Sequence, residues 1–264
     1  MASSGISWVD VRRVSRKRRN IFISGIRRLL KPLNYAVVPM HELRACAWGA
    51  FPISGSFAPF HEYACVGTRE NYFVHDGYKH RLSNQFFDDT PNTDQAQLEV
   101  YLFAKEVSDS HKLATVCDIG CGSGYKLVTY FGKMKTVGLD LPRTCEWLQR
   151  KYPDRLWLES DFLRKPDFPT DLVIAADVIE HLPDPDRLMR YLASLQPRFI
   201  VLSTPERNLL REGTHNGPPC NPAHVREWNF TEFEAYVSEY FEIVEHFVSS
   251  APQATQCVLC KPTR

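Results

Sequence analysis

From residue 95 onward the apolar positions switch back and forth between two periods. Residues 95–107 (QAQLEVYLFAKEV) carry them at helical spacing. Ala114–Ile119 is a short apolar run ending in Asp118-Ile-Gly, a strand that feeds a glycine turn. A helix is expected over 124–132, a strand over Thr136–Asp140, a helix over 143–151 and a third strand at Leu156–Leu158. The fourth strand reads from Asp171 to Asp177, the next helix from Asp184 to Leu195, and the fifth strand from Phe199 to Ser203. Thr231-Glu-Phe-Glu234 has the form of a capping box and opens a helix that runs to Tyr240. Strands at 242–248 and 254–260, joined across Ser-Ser-Ala-Pro, close the chain as a hairpin.

Strands separated by helices need right-handed crossovers, which build a parallel sheet covered on both faces. The closing hairpin puts one strand antiparallel. Residues 41–94 break the alternation. They are rich in aromatics, His and Gly (Tyr63, Tyr72, Phe73, His75, Tyr78, His80, Phe86, Phe87) and read as an extension or lid over the ligand edge of the sheet. The chain thus divides into a basic segment 1–40, the extension 41–94 and an α/β domain 95–264. Within the last, Gly213–Trp228 is a long loop stiffened by Pro218, Pro219 and Pro222, and loops of that length are often functional.

Composition narrows the class. At 264 residues, 44% hydrophobic and 24% charged, the chain has globular values, and no run of ~20 apolar residues predicts a membrane span. Net charge is +1, but residues 1–31 hold nine bases against Asp10, a local +8 that leaves −7 for the rest. Within 21–33, Phe22, Ile26, Leu29, Leu30 and Leu33 recur at helical spacing, and Pro32 would end the helix. Such a segment can dock on an anionic membrane surface or an acidic partner, serve as a mitochondrial transit peptide, or be a solvated tail. Nucleic acid is disfavoured as a partner, because the net charge is near zero and the basic run lacks interleaved aromatics. The eight cysteines are scattered with no secretory leader before them, so a reducing, cytoplasmic location is expected. Cys257-Val-Leu-Cys260 lacks a second pair to complete a zinc site and reads as core.

Val116-Cys-Asp118-Ile-Gly120-Cys121-Gly122-Ser-Gly124 is the most informative stretch. Glycines between a strand and a helix allow backbone to approach a ligand, and helix N-terminal amides add positive potential. A dinucleotide fingerprint wants G-x-G-x-x-G, whereas here the third glycine comes at Gly124 and an acid precedes the first. Asp118 would repel a diphosphate and attract an ammonium. Asp140 ends the second strand, placed to accept from ribose hydroxyls. Asp161-Phe162 follows the third, offering an acceptor and an aromatic wall to adenine. Adenosine without phosphate, on a cationic amino acid tail, describes S-adenosylmethionine.

In this ordered set the sequence resembles the class I S-adenosylmethionine-dependent methyltransferases over roughly residues 95–264. The resemblance implies a Rossmann-like seven-stranded sheet, mostly parallel with an antiparallel last strand and helices on both faces, behind an N-terminal extension. It implies Asp118 and the backbone of Gly120, Cys121, Gly122 and Gly124 near the methionine part, Asp140 on the ribose and Asp161 with Phe162 on the adenine, with Leu141 and Asp177 also among the cofactor-binding residues.

On the acceptor side, Asp177, Glu180 and His181 stand at i, i+3 and i+4, so a helical turn over 177–182 would point them together. Two carboxylates and an imidazole suit Mg²⁺, and His224 follows on the loop after the fifth strand. The set resembles the metal-binding pattern of ubiquinone-biosynthesis O-methyltransferases and small-RNA 2′-O-methyltransferases, departing from it with Asp177 in place of Glu. His224-Val-Arg226-Glu-Trp228 resembles a segment of methyltransferases of polysaccharide and natural-product synthesis. His181 and His224 are the catalytic candidates, and a base or substrate-orienting role is favoured over the metal. The expected function is methyl transfer to an oxygen of a small molecule or glycan precursor. The alternatives are an RNA 2′-O-methyltransferase and a non-catalytic scaffold.

Overall fold

The structure, a computed structural model, describes residues 69–210, 215–249 and 254–263. The basic segment 1–40 and the extension as far as residue 68 lie outside the described residues. Strands β1 (Thr115–Ile119), β2 (Lys135–Asp140), β3 (Leu156–Glu159), β4 (Leu172–Ala176), β5 (Phe199–Pro205), β6 (Phe241–Val248) and β7 (Thr255–Pro262) form one sheet in the order β3-β2-β1-β4-β5-β7-β6. The first five are parallel, with Asp118 opposite Gly138 and Cys117 opposite Val173. β7 runs antiparallel to both β5 and β6, and a bulge between Ile243 and Glu245 shifts the hairpin register. The Rossmann-like sheet with a reversed last strand is as expected.

Among the described residues, apart from a left-handed turn at Arg69–Tyr72, six helices flank it: α1 (Leu98–His111), α2 (Tyr125–Phe131), α3 (Pro142–Lys151), α4 (Pro185–Ser194), α5 (Arg207–Leu210) and α6 (Phe230–Ser238). α1 lies against α2, β4 and β5, α3 against β2 and β3, and α6 against β6. β1 (TVCDI) and β4 (LVIAA) are buried at every position, as strands covered on both faces must be. Alternation then divides their residues. Cys117, Ile119, Val173 and Ala175 join Leu188, Met189 and Leu192 of α4 and Phe233, Tyr236 and Val237 of α6 in one core. Asp118 points the other way, to Tyr101 on α1. Tyr72, Val74 and Tyr78 also enter the first core.

Local signals set the helix ends, with two differences from the sequence reading. α1 starts at Leu98 instead of residue 95 because Gln97 is left-handed (φ 59) and spends its amide on the Ala176 carbonyl at 3.2 Å. The capping box of α6 is Asn229 with Glu232, not Thr231 with Glu234. Asn229 Oδ1 accepts from Glu232 N (2.9 Å), and Glu232 Oε2 accepts from Asn229 N (3.0 Å). Glu232 is the acid that caps because the buried Arg207 guanidinium pairs with it at 2.6 Å. The six described cysteines are unpaired thiols, and Cys257 and Cys260 are both buried on β7.

Candidate cofactor and acceptor site

Because β1 to β5 are parallel, Gly120, Asp140, Asp161 and Asp177 all leave the sheet at its carboxyl-terminal edge, where ligands of such sheets bind. The glycine turn is bound to the end of β2. Gly120 N donates to Leu139 O at 2.8 Å, and Gly122 N donates to Asp140 Oδ2 at 2.8 Å. Asp140 Oδ1 takes Leu141 N at 2.7 Å. Gly120 (φ 68) and Gly122 (φ 51) are left-handed, a conformation glycine adopts without strain. A Cβ at Gly120 would come 2.5 Å from Val178 Cγ2, and one at Gly122 would run into the carboxylate of Asp89.

Asp118 lies beneath the turn, 0% exposed, with Tyr101 Oη donating to both its oxygens at 3.1 and 3.0 Å. Burial pushes its carboxyl up to about 7. Burial, then the Asp140 charge, pushes Asp89 up to about 6, and burial raises Asp140 as well. The cation facing them is Lys126, whose Nζ donates to Thr93 O (3.1 Å) and sits 5.2 Å from the Tyr101 ring centre. Three carboxylates against one ammonium make a site short of positive charge. It would repel a diphosphate, and it fits S-adenosylmethionine, which brings a sulfonium and an ammonium.

Where the chain leaves β3 and β4, a cleft of about 400 Å³ is lined by Asp161, Phe162, Leu182, Pro183, Asp184 and Arg187. Phe162 is left-handed (φ 57) and its ring lies 5.7 Å from that of Tyr191. Asp161 is exposed, its Oδ1 accepts from Leu163 N (2.8 Å), and its carbonyl accepts from Arg187. A larger cavity, about 530 Å³ between α1 and α2 at Ser108, Lys112 and Met134, contains none of the residues singled out from the sequence.

On the acceptor side, Asp177 is left-handed (φ 54), and a 3-10 turn follows at Ile179–His181. The backbone reversal takes Asp177 out of helical phase. Its Oδ1 accepts from the Ser203 hydroxyl at 2.6 Å, so its carboxylate stands beside Glu180 and His224, close enough for its charge to act on both, without joining their ligand cluster. Glu180, His181 and His224 instead bring one ligand atom each within 4.8 Å of one another, with the two imidazoles edge to face at 4.9 Å. Glu180 is 0% exposed. Its Oε2 takes the Thr204 hydroxyl (3.0 Å), its Oε1 has no hydrogen-bond partner, and burial raises its pKa well above the carboxylate range. His181 Nδ1 donates to Ala223 O (2.8 Å). His224 Nε2 accepts from Asn221 Nδ2 (2.9 Å), which puts the proton on Nδ1, facing Glu227 Oε1 at 2.8 Å. Burial, then His224, lowers His181 to about 4. An adjacent Glu180 would be expected to raise it, but burial of the Glu180 carboxyl disfavours the charge that would do so.

Arg226 holds this wall in place. Its NH1 and NH2 donate to the carbonyls of Leu182 (2.9 Å) and Pro183 (3.0 Å), its Nε donates to His80 Nδ1 (3.0 Å), and the guanidinium stacks 4.4 Å over Tyr72. Asp89, Tyr101, Lys126, Asn221, Arg226 and Glu227 are the side chains here that sequence reasoning did not assign. Glu227 had a signal, standing three residues after His224. Asp89 had none.

A family model for the methyltransferase domain matches residues 80–246. Two curated relatives, probable S-adenosylmethionine-dependent methyltransferases from two strains of Mycobacterium tuberculosis, are 29% identical over 148 residues, which is 51% of this chain and 53% of theirs. The chain therefore matches about half the length of these relatives. Among solved structures, magnesium protoporphyrin IX methyltransferase from Synechocystis PCC 6803 with bound SAH superposes with TM-score 0.50 at 18% identity, over 63% of this chain and 83% of that one. The N-methyltransferase NodS from Bradyrhizobium japonicum WM9, also with SAH, gives TM-score 0.50 at 15% identity, over 67% and 94%. Both likenesses are of fold. With the glycine turn, its ordered acids and the reversed last strand, the chain belongs to the methyltransferase-domain family, with the class I fold and S-adenosylmethionine as its cofactor.

Proposed function

We propose that this protein transfers the methyl group of S-adenosylmethionine to an oxygen of a small molecule or glycan precursor, with His181 as the base or orienting group. The observation that carries the reading is the state of the His181 ring. Its Nδ1–H is spent on Ala223 O, and burial keeps the ring neutral at pH 7, which leaves Nε2 as a proton acceptor. The bound cofactor supplies a methyl group already activated on sulfur. Asp140 and the glycine-turn backbone hold its ribose and amino acid ends, and the cleft at Phe162 and Leu182 takes the adenine. His181 Nε2 accepts the hydroxyl proton as the new C–O bond forms, since a weak base gains the proton only as the attacking oxygen turns acidic. The Asn221–His224–Glu227 chain keeps the neighbouring imidazole in one tautomer and supports the loop that carries Ala223.

A second reading has a divalent ion on Glu180, His181 and His224, favoured by the buried, unpartnered Glu180 Oε1. One carboxylate and two imidazoles suit zinc or manganese better than Mg²⁺. The ion would have to displace Asn221 from His224 Nε2, which is why the base is preferred. Turnover, read as SAH release over a panel of hydroxylated small molecules and glycans, separates the readings. For a base, EDTA leaves the rate unchanged, and His181→Gln lowers kcat by ~10² or more with SAH affinity intact. If EDTA abolishes turnover and Mn²⁺ or Zn²⁺ restores it, the metal reading replaces the base. Turnover only on RNA, or SAH binding with no turnover, would favour the alternative functions.

For the cell we propose a cytoplasmic protein whose basic residues 1–40 dock on anionic membrane surfaces, with mitochondrial import as the alternative. The support is the +8 charge and apolar spacing of that segment.

A further inference from the structure

Of the three acids around the glycine turn, two are already committed. Asp118 has no exposed surface, and Tyr101 occupies both its oxygens. Asp140 holds Gly122 N and Leu141 N, keeping further lone pairs for hydroxyl donors. Asp89 is different. It comes from outside the sheet, on a strap that crosses from the acceptor side to the cofactor side. One end of the strap is tied to the acceptor loop, with Arg81 N donating to Val225 O (2.9 Å), Gln85 N to Pro222 O (3.0 Å) and Asn84 Nδ2 to Ala223 O (2.9 Å). The other end is tied to α2, with Lys126 Nζ donating to Thr93 O (3.1 Å) and Tyr130 Oη to Asp94 Oδ1 (3.0 Å). Between the ties, Asp88 Oδ1 takes Thr90 N (3.2 Å) and its hydroxyl (2.7 Å), and Asn92 N donates to Asp89 O (2.9 Å), folding a tight tip.

That tip seats the Asp89 carboxylate in the space a Cβ on Gly122 would fill. Resting on the cofactor-binding reading of this turn, we infer that Asp89 is the carboxylate that holds the ammonium group of the cofactor's amino acid tail. The charge balance supports it. The carboxylate stands among like charges from Asp140 and Asp88 with Lys126 as its opposing cation, so an arriving ammonium relieves repulsion as well as forming hydrogen bonds. The glycine at 122 then has a second purpose: it makes room for a side chain from another part of the chain.

The test is calorimetry with two ligands that share adenosine and a thioether. SAH carries the amino acid tail and 5′-methylthioadenosine does not. Asp89→Asn should weaken SAH about tenfold to a hundredfold and leave 5′-methylthioadenosine within about twofold, whereas Asp140→Asn should weaken both. A second comparison uses the unaltered protein: the decarboxylated SAH analogue, which keeps its amine, should bind more tightly than the deaminated analogue, which keeps its acid. The inference is overturned if Asp89→Asn leaves SAH affinity unchanged, if it tightens it (Asp89 would then be a plug), if both ligands weaken alike, or if the deaminated analogue is preferred. If the unaltered protein binds neither SAH nor 5′-methylthioadenosine, the cofactor reading falls with it.

Discussion

Replacing Arg226 with Leu tests whether the wall between cofactor and acceptor is held from behind. Arg226 is 0% exposed, and although burial lowers its pKa to about 10 it is charged at neutral pH. The substitution leaves three acceptors without their donor: the carbonyls of Leu182 and Pro183 and the Nδ1 of His80, an imidazole that burial and the adjacent guanidinium hold neutral. His80 is fully buried, and its acceptor left unmade costs about 1–3 kcal/mol, while the part-buried carbonyls of Leu182 and Pro183 can turn to water. Relief of the buried charge offsets part of that and the lost stacking on Tyr72 adds to it, so a net loss of about 1–3 kcal/mol is expected. At about 2–4 °C per kcal/mol for a domain of this size, Tm should fall by about 2–12 °C in a thermal melt followed by circular dichroism. Leu182 and Pro183 line the cleft proposed for the adenine, so SAH affinity measured by calorimetry should also fall, by about tenfold. Arg226→Lys keeps the charge, but one ammonium cannot span three acceptors set out for a planar fork, so it should fall between the two. A Tm within about 2 °C of the unaltered protein refutes the packing part. A large drop in Tm with SAH affinity intact refutes the link to the cleft.

Two further outcomes are expected. SAH affinity should fall as pH drops from about 7 to 5, because burial and the Asp140 charge lift Asp89 to about 6 and a protonated carboxyl no longer attracts the ligand's ammonium; calorimetry showing flat affinity across that window would refute the role given to this charge. The full chain should co-sediment with anionic vesicles at low ionic strength and release them as salt rises, and a chain starting at residue 41 should not co-sediment; equal sedimentation of the two would leave residues 1–40 a solvated tail.

The alternation of periods along 95–264 is sufficient to predict the sheet class, because a strand buried on both faces reads as a continuous apolar run and its crossover helix as an amphipathic one. Asp118, Gly120, Gly122, Gly124, Asp140, Asp161 and Asp177 are likewise legible one by one, since the ends of consecutive parallel strands meet at one edge whatever the details of packing. Their environments are not legible. Helical spacing put Asp177 with Glu180 and His181, but a single left-handed residue, a choice of backbone well that spacing cannot express, turned Asp177 to Ser203 and left Glu180, His181 and His224 as the cluster. The protonation of His181 followed burial of the whole group, which is a property of the folded interior and not of a neighbour in sequence. Asp89 depended on tertiary structure most of all. Nothing in its local pattern marks it, and only the strap tied at Pro222 and Val225 on one side and at Lys126 and Tyr130 on the other carries it, across 33 positions of sequence, onto the glycine that has no side chain to exclude it.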